Sequence, residues 1–242
     1  MTVPRAGLVA VVLAMQVSIA VAVPVKIRLC LAEQAPSASP AAGGGGLVSP
    51  RLRAAAQGLD VVIEPYEAPR ARCLQDSRQG RADALIGVFA PDRLTWLAYP
   101  MRNGLPAAER SIASIRVSVY RRVGSRVEWD GQRLTGLAGL PLGLRFGYFY
   151  GSGVDALGVP LDDRAMSSEQ LIAKLIKGRV GAALLTDEAA GHVAKLPPGQ
   201  IESLPQLYGS MPLFFIVTRD FERANNQLVQ RLWTNLAATP AR

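Results

Sequence analysis

The sequence has a single histidine, His192, and only two cysteines, Cys30 and Cys73. A Cys/His metal centre needs several such ligands together, so no metal site is expected, and no cofactor motif stands in its place. His192 reads as a helix-surface residue rather than a ligand or a base. Lysine is scarce beside arginine, and the arginines are scattered (51, 53, 70, 72, 78, 81, 93, 102) rather than clustered with exposed aromatics. A formal charge of +8 therefore points away from nucleic acid and, if to anything, toward an anionic ligand. The Gly43–Gly46 run lacks the Lys-Ser/Thr pair that completes a phosphate cradle and reads as a flexible turn. Charged residues at 19% against 49% hydrophobic exclude a disordered chain. Beyond the N-terminus, no segment is long and apolar enough to span a bilayer.

What is present begins with an export pattern. Arg5 gives a short positive region, Ala6 to Ile19 an apolar stretch broken only by Gln16 and Ser18, and Ala20-Val21-Ala22 a small-x-small cleavage site. The mature chain is expected to start at Val23, in the periplasm. An uncleaved anchor is the alternative, but Pro24 and Lys26 close the segment early. No cysteine sits at the cleavage point, so no lipid anchor is expected. In an oxidising compartment Cys30 and Cys73 are expected to pair; two separate buried thiols are the alternative.

One motif then occurs twice. Val25 to Leu31 reads as a first strand, Leu47 to Gln57 as a helix with Pro50 in its first turn, and Leu59 to Ile63 as a second strand. Pro69 to Gln79 reads as a helix closed by Gly80, followed by Arg81 and the apolar strand Ala84 to Val88. About 98 residues later, Ser167 and Gln170 form a capping-box pattern. Leu171, Ile172, Leu175 and Ile176 make a buried stripe, Gly178 ends the helix, and Arg179 precedes the strand Ala182 to Leu185. Strands buried on both faces belong to parallel sheets covered by helices. Two such units imply two α/β lobes. Ser111 to Tyr120 and Met211 to Thr218 read as crossover strands joining them, and Ala224 to Ala237 as a final helix with Leu228, Leu232 and Leu236 on one face.

The chain resembles family 3 of the bacterial extracellular solute-binding proteins, the amino-acid-binding type with a type II periplasmic-binding fold. The resemblance is carried by Pro69-Arg70-Ala71-Arg72-Cys73-Leu74, Gly80-Arg81-Ala82-Asp83-Ala84, Ala90-Pro91-Asp92-Arg93 and Tyr99-Pro100. In the second lobe it rests on Gly147-Tyr148-Phe149-Tyr150-Gly151, Gly178-Arg179-Val180 and Thr186-Asp187-Glu188. It implies an α/β fold in which two mainly parallel sheets, each flanked by helices, are joined by two crossover strands. Residues 23–112 with 211–242 would form lobe 1 and 113–210 lobe 2, after a signal peptide at 1–22. It further implies a monomer that closes on a small polar or zwitterionic molecule, without a cofactor, and passes it to an inner-membrane permease of the ABC type.

By the same resemblance, Arg93 is expected to pair with a ligand carboxylate and Asp187 to receive its ammonium group. Both follow the C-terminal end of a predicted parallel strand, where open α/β sheets bind ligands, so they are expected to face each other across the gap. Asp187 as a helix cap is the competing reading. Tyr148, Tyr150 and Ser152 are expected to offer hydroxyls to an anion, with Phe89 and Arg70 as further candidates; a tight turn whose tyrosines pack on the lobe is the alternative. The chain departs from the family pattern at Val88, Ala90, Gln34-Ala35-Pro36-Ser37, Gly181 and Arg70, the last replacing a common Trp. These changes remove donors and a stacking ring. They keep open an interaction or sensory protein with an altered pocket. An exported dehydratase-like enzyme would need an acid in the cleft. Glu188 and Glu33 are the candidates, and neither has a visible partner to raise its pKa. Both therefore read as ordinary solvated glutamates, and no enzyme is expected.

Overall fold

The computed structural model describes residues 23–32 and 48–239. The expected signal segment, the Gly43–Gly46 turn and Glu33 lie outside them.

Lobe 1 opens with β1 (Val25–Ala32), α1 (Pro50–Ala56), β2 (Val61–Ala68), α2 (Arg70–Arg78) and β3 (Ala84–Gly87). The short strands β4 (Leu97–Ala98), β5 (Met101–Arg102) and β6 (Leu105–Pro106) precede the long β7 (Ala113–Arg122). Then follow β8 (Glu128–Trp129), β9 (Leu134–Thr135), β10 (Leu142–Arg145), α3 (Gly153–Ala156), β11 (Leu161–Ala165), α4 (Ser168–Ile176), β12 (Ala182–Thr186) and α5 (Ala190–Val193). The chain ends with β13 (Ile201–Thr218), α6 (Arg219–Ala224) and α7 (Asn226–Ala238).

The sheet runs β11-β10-β12-β7-β13-β3-β1-β2. Strands β2, β1 and β3 are parallel to one another, as are β11, β10 and β12. Between the two sets, β7 and β13 pair antiparallel with each other and with β12 and β3. These are the expected crossovers, but β13 is 18 residues long and begins ten residues earlier than the apolar pattern predicts. Its first half, with Pro205 and Gly209, shifts register between Ser203 and Leu207 and again before Gly209. Proline and such bulges break alternation, so the sequence signal vanished where the backbone pairing did not.

Each lobe buries both faces of its parallel strands. On β13, Phe215 and Val217 face Ile27, Leu29, Leu52 and Trp233, while Phe214 and Ile216 face Leu85 and Leu97. In α7 the buried face is Val229, Leu232, Trp233 and Leu236, with Leu228 only packed against it. The second lobe has the same two-sided arrangement, Leu142 and Leu184 on one face and Ala183, Leu185 and Leu171 on the other.

The repeated unit is real at the level of hydrogen bonds. Gly80 and Gly178 both hold φ +67, a left-handed value that suits glycine. The next N–H closes each helix in the same way, Arg81 to the Asp76 carbonyl at 2.8 Å and Arg179 to the Lys174 carbonyl at 2.9 Å. This is the Schellman closure. Ser167 Oγ accepts from the Gln170 N–H at 3.2 Å, while the Gln170 side chain accepts from Met166 N–H rather than from the cap itself. Where lobe 1 has Asp83 bonded to Arg28, lobe 2 has Gly181, against which Leu137 packs so closely that a Cβ would lie 2.8 Å from its Cδ2. The absent carboxylate is thus replaced by packing. Cys30 and Cys73 are disulfide-bonded, tying α2 to β1 three residues after Arg70.

Candidate functional site: a guanidinium-lined cavity between the lobes

The parallel strands of both lobes point their carboxyl ends at one gap, and the segments leaving those ends build it. Arg70 follows β2 through Pro69, Gly87 ends β3, Tyr148 and Tyr150 follow β10, and Thr186 and Glu188 end and follow β12. All six line one cavity, with Ile115 and Met211 of the crossover strands as its floor. Its free volume is about 40 Å³, room for a few waters and far below a typical small-molecule pocket of roughly 300 Å³ or more. A solute of amino-acid size enters only if the lobes part or a wall side chain withdraws.

Three arginines are buried at or beside this cavity. Arg70, 6% exposed, donates from Nη1 to the Ile86 carbonyl at 2.6 Å. Burial first, and then the neighbouring Arg93 charge, lower its pKa to about 10. Arg93 donates from Nη2 to the Gly147 carbonyl at 3.0 Å, a bond from lobe 1 to lobe 2. Arg145 stands at the end of β10, donates to Ser168 Oγ at 3.3 Å, and places its guanidinium carbon 4.2 Å from the Tyr148 ring centre. Arg93 Nη1 and Arg145 Nε are buried with no hydrogen-bond partner among the described residues. Neutral acceptors take the remaining bonds, so little compensates the charge.

Among the described residues, one carboxyl group shares the cavity wall. Burial pushes Glu188 up to about 8; Arg145, the Thr186 hydroxyl and Arg70 oppose that shift, while Asp187 adds to it. Glu188 is therefore not the solvated glutamate expected from sequence. Desolvation is the main cause, with the neighbouring Asp187 charge adding to it.

Neither Arg93 nor Asp187, which were expected to face each other across the gap, is among the residues lining this cavity. Asp187 lies outside the cavity lining, paired with Arg116 of β7 at 3.8 Å on an exposed site. Strand β12 ends at Thr186, and residues 187–189 form a 3-10 turn in which successive side chains swing by roughly 120°. That turn sends Asp187 outward and Glu188 inward. Asp187 does not hold a cap position there: Thr186 precedes the 3-10 turn and Ala189 precedes α5. Arg93 is buried but does not line the cavity. Phe89 packs edge-on against Tyr99 at 5.1 Å, and Ser152 is exposed at the start of α3. Arg70, Tyr148 and Tyr150 line the cavity wall, and Tyr150 is also packed into the core of lobe 2. Arg145 was missed, although a charge in the run Leu142-Gly143-Leu144-Arg145, all four buried, was a legible signal.

No protein-family model and no curated protein matches the chain. Among solved structures, an ancestral arginine-binding protein bound to arginine is 16% identical over 90% of this chain and 93% of that one, with TM-score 0.63. A histidine kinase sensor domain with similarity to periplasmic binding proteins is 12% identical over 89% and 90%, with TM-score 0.64. The B. pertussis BvgS periplasmic domain is 12% identical over 89% of this chain and 40% of that one, with TM-score 0.59. These likenesses establish the two-lobed, type II periplasmic-binding-protein fold.

Proposed function

We propose that the chain is an exported binding protein that holds a small carboxylate-bearing, amino-acid-like molecule between lobe 1 (23–112 and 211–242) and lobe 2 (113–210). The observation that carries this reading is the pair of buried guanidinium N–H groups, without a hydrogen-bond partner among the described residues, beside an interlobe cavity. A buried guanidinium with neutral partners keeps most of its desolvation cost, and a carboxylate offers the planar, two-point acceptor it lacks. Protonated Glu188 donates to such a ligand instead of repelling it, or takes an ammonium group after giving up its proton. Arg93, Arg145, Tyr148 and Tyr150 are the assigned contacts. Lobe closure of the kind known for periplasmic binding proteins exposes and covers them. A disulfide between β1 and α2 supports a periplasmic address, and the arginine-bound neighbour supports the ligand class. Delivery to a membrane permease and direct sensing are both uses of the same binding event.

The test is a thermal-shift screen of residues 23–242 against amino acids, organic acids and polyamines. A ligand selective for the native state adds about 2.7 kcal/mol at a hundredfold excess over its Kd. Carboxylates are expected to raise Tm and polyamines are not; hits confined to polyamines would sink the assignment. A second reading, an exported dehydratase of cyclohexadienyl acids, draws on Glu188, whose carboxyl is protonated near neutral pH and so fit to act as a general acid. Turnover of such a substrate, lost in Glu188→Gln, would select it.

A further inference from the structure

Arg70 has nothing local to recommend its position. It is the first residue of α2, whose first turn contains no acid, and a cation there opposes the helix dipole. It is nonetheless buried in the cavity wall, and its surroundings fit a guanidinium closely. Nη1 donates to the Ile86 carbonyl at 2.6 Å. Gly87 leaves the space beside it, since a Cβ there would lie 2.4 Å from Nη2. From the other lobe, a Cβ on Gly147 would lie 3.6 Å from Arg70 Cγ and 3.6 Å from the Ala71 nitrogen, so lobe 2 rests on the stem of this side chain. Tyr148, Thr186 and Glu188 of lobe 2 share the same cavity wall.

We infer that the cleft is a guanidinium site whose occupant the chain supplies itself: Arg70 is an intramolecular ligand, held by Ile86 and Gly87 of lobe 1 and covered by Gly147 and Tyr148 of lobe 2. The charges agree with this, because Glu188 raises the Arg70 pKa and Arg70 lowers that of Glu188. An outside solute then enters by moving Arg70, so the lobes hold together through a tethered group and a solute competes with it. This goes beyond the binding reading above and stands on Arg70's own contacts.

The test truncates the tether and returns its missing end. Arg70→Ala retains Cβ, and N-ethylguanidinium supplies the remaining atoms. Its addition is expected to raise the Tm of the variant saturably and leave wild type unmoved, while propylammonium, a cation without the planar fork, does neither. A folded variant that responds no more than wild type overturns the inference, and so does saturable stabilisation of wild type by the same compound. Two further variants keep the test open should Arg70→Ala not fold. Arg70→Met keeps the stem and removes the charge; Gly87→Ala keeps Arg70 but fills its berth. Both are expected to increase the radius of gyration measured by small-angle scattering, and a radius equal to wild type in both overturns the idea.

Discussion

Titration of Glu188 gives the sharpest check on the site. Its pKa rises from 4.5 to about 8 in the fold, so between those values the folded chain holds a proton that the unfolded chain has released. Stability must then fall as pH rises through that window, the opposite of the usual salt-bridged carboxylate. A shift of this size corresponds to about 5 kcal/mol at most, about three quarters of it lost between pH 5 and pH 8. Glu188→Gln replaces the protonated form with a neutral group of the same shape, which has nothing to titrate. Urea unfolding of both proteins at pH 5, 6.5, 8 and 9 isolates the effect, because every other titrating group is common to the two. Near pH 5 the difference should be small; at pH 9 the variant should be the more stable by several kcal/mol. Parallel stability curves would refute the argument that burial governs this carboxyl group.

Other consequences follow from single contacts. Reduction, or the double change Cys30→Ser and Cys73→Ser, opens a loop of 43-residue separation and should lower stability by about 4 kcal/mol on the chain-entropy model, read as a fall in Tm under reductant. Arg93→Ala removes the bond to the Gly147 carbonyl and should weaken ligand binding at least tenfold, as followed by calorimetry. Asp187→Asn, in an exposed pair, should change stability by no more than about 0.5 kcal/mol and leave affinity unaltered. Gly136→Ala would place a Cβ 1.9 Å from the Arg126 carbonyl oxygen at φ +73, and should cost about 3 kcal/mol or more, visible in urea denaturation.

The sequence disclosed the fold better than the site, for a physical reason. Strands such as Ala84–Gly87 and Ala182–Thr186, buried on both faces, appear as unbroken apolar runs, and the Gly-Arg closures at 80–81 and 178–179 mark the helix ends. Those signals are local. The choice between Asp187 and Glu188 is not, since it depends on how one 3-10 turn leaves β12 and on which neighbour, Arg116 or the cavity, each carboxylate meets. The raised pKa of Glu188 likewise has no local signature, because desolvation is created by residues far along the chain. Gln34 to Ser37, a stated departure from the family pattern, lies outside the described residues, so the sequence reading there is unchanged.

The net positive charge of the chain is distributed over many exposed arginines, but the charge that matters for binding is the buried part. Arg70, Arg93 and Arg145 are held by two carbonyls, one hydroxyl and an aromatic face, none of which carries a countercharge. Among the described residues Glu188 is the one carboxyl group in the cavity wall, and its proton decides whether the site is short of an anion. Below pH 8 it is neutral and a ligand carboxylate is the available countercharge; above pH 8 its own carboxylate takes that place and competes. If only the protonated form accepts the anion, apparent affinity falls with the protonated fraction, making binding about tenfold weaker at pH 9 than at pH 7. Calorimetric titration at the two pH values measures this directly, and in Glu188→Gln the dependence should vanish. An affinity that stays level in wild type would mean that the anion and Glu188 do not share a site, and the cavity would lose its claim to be where the ligand binds.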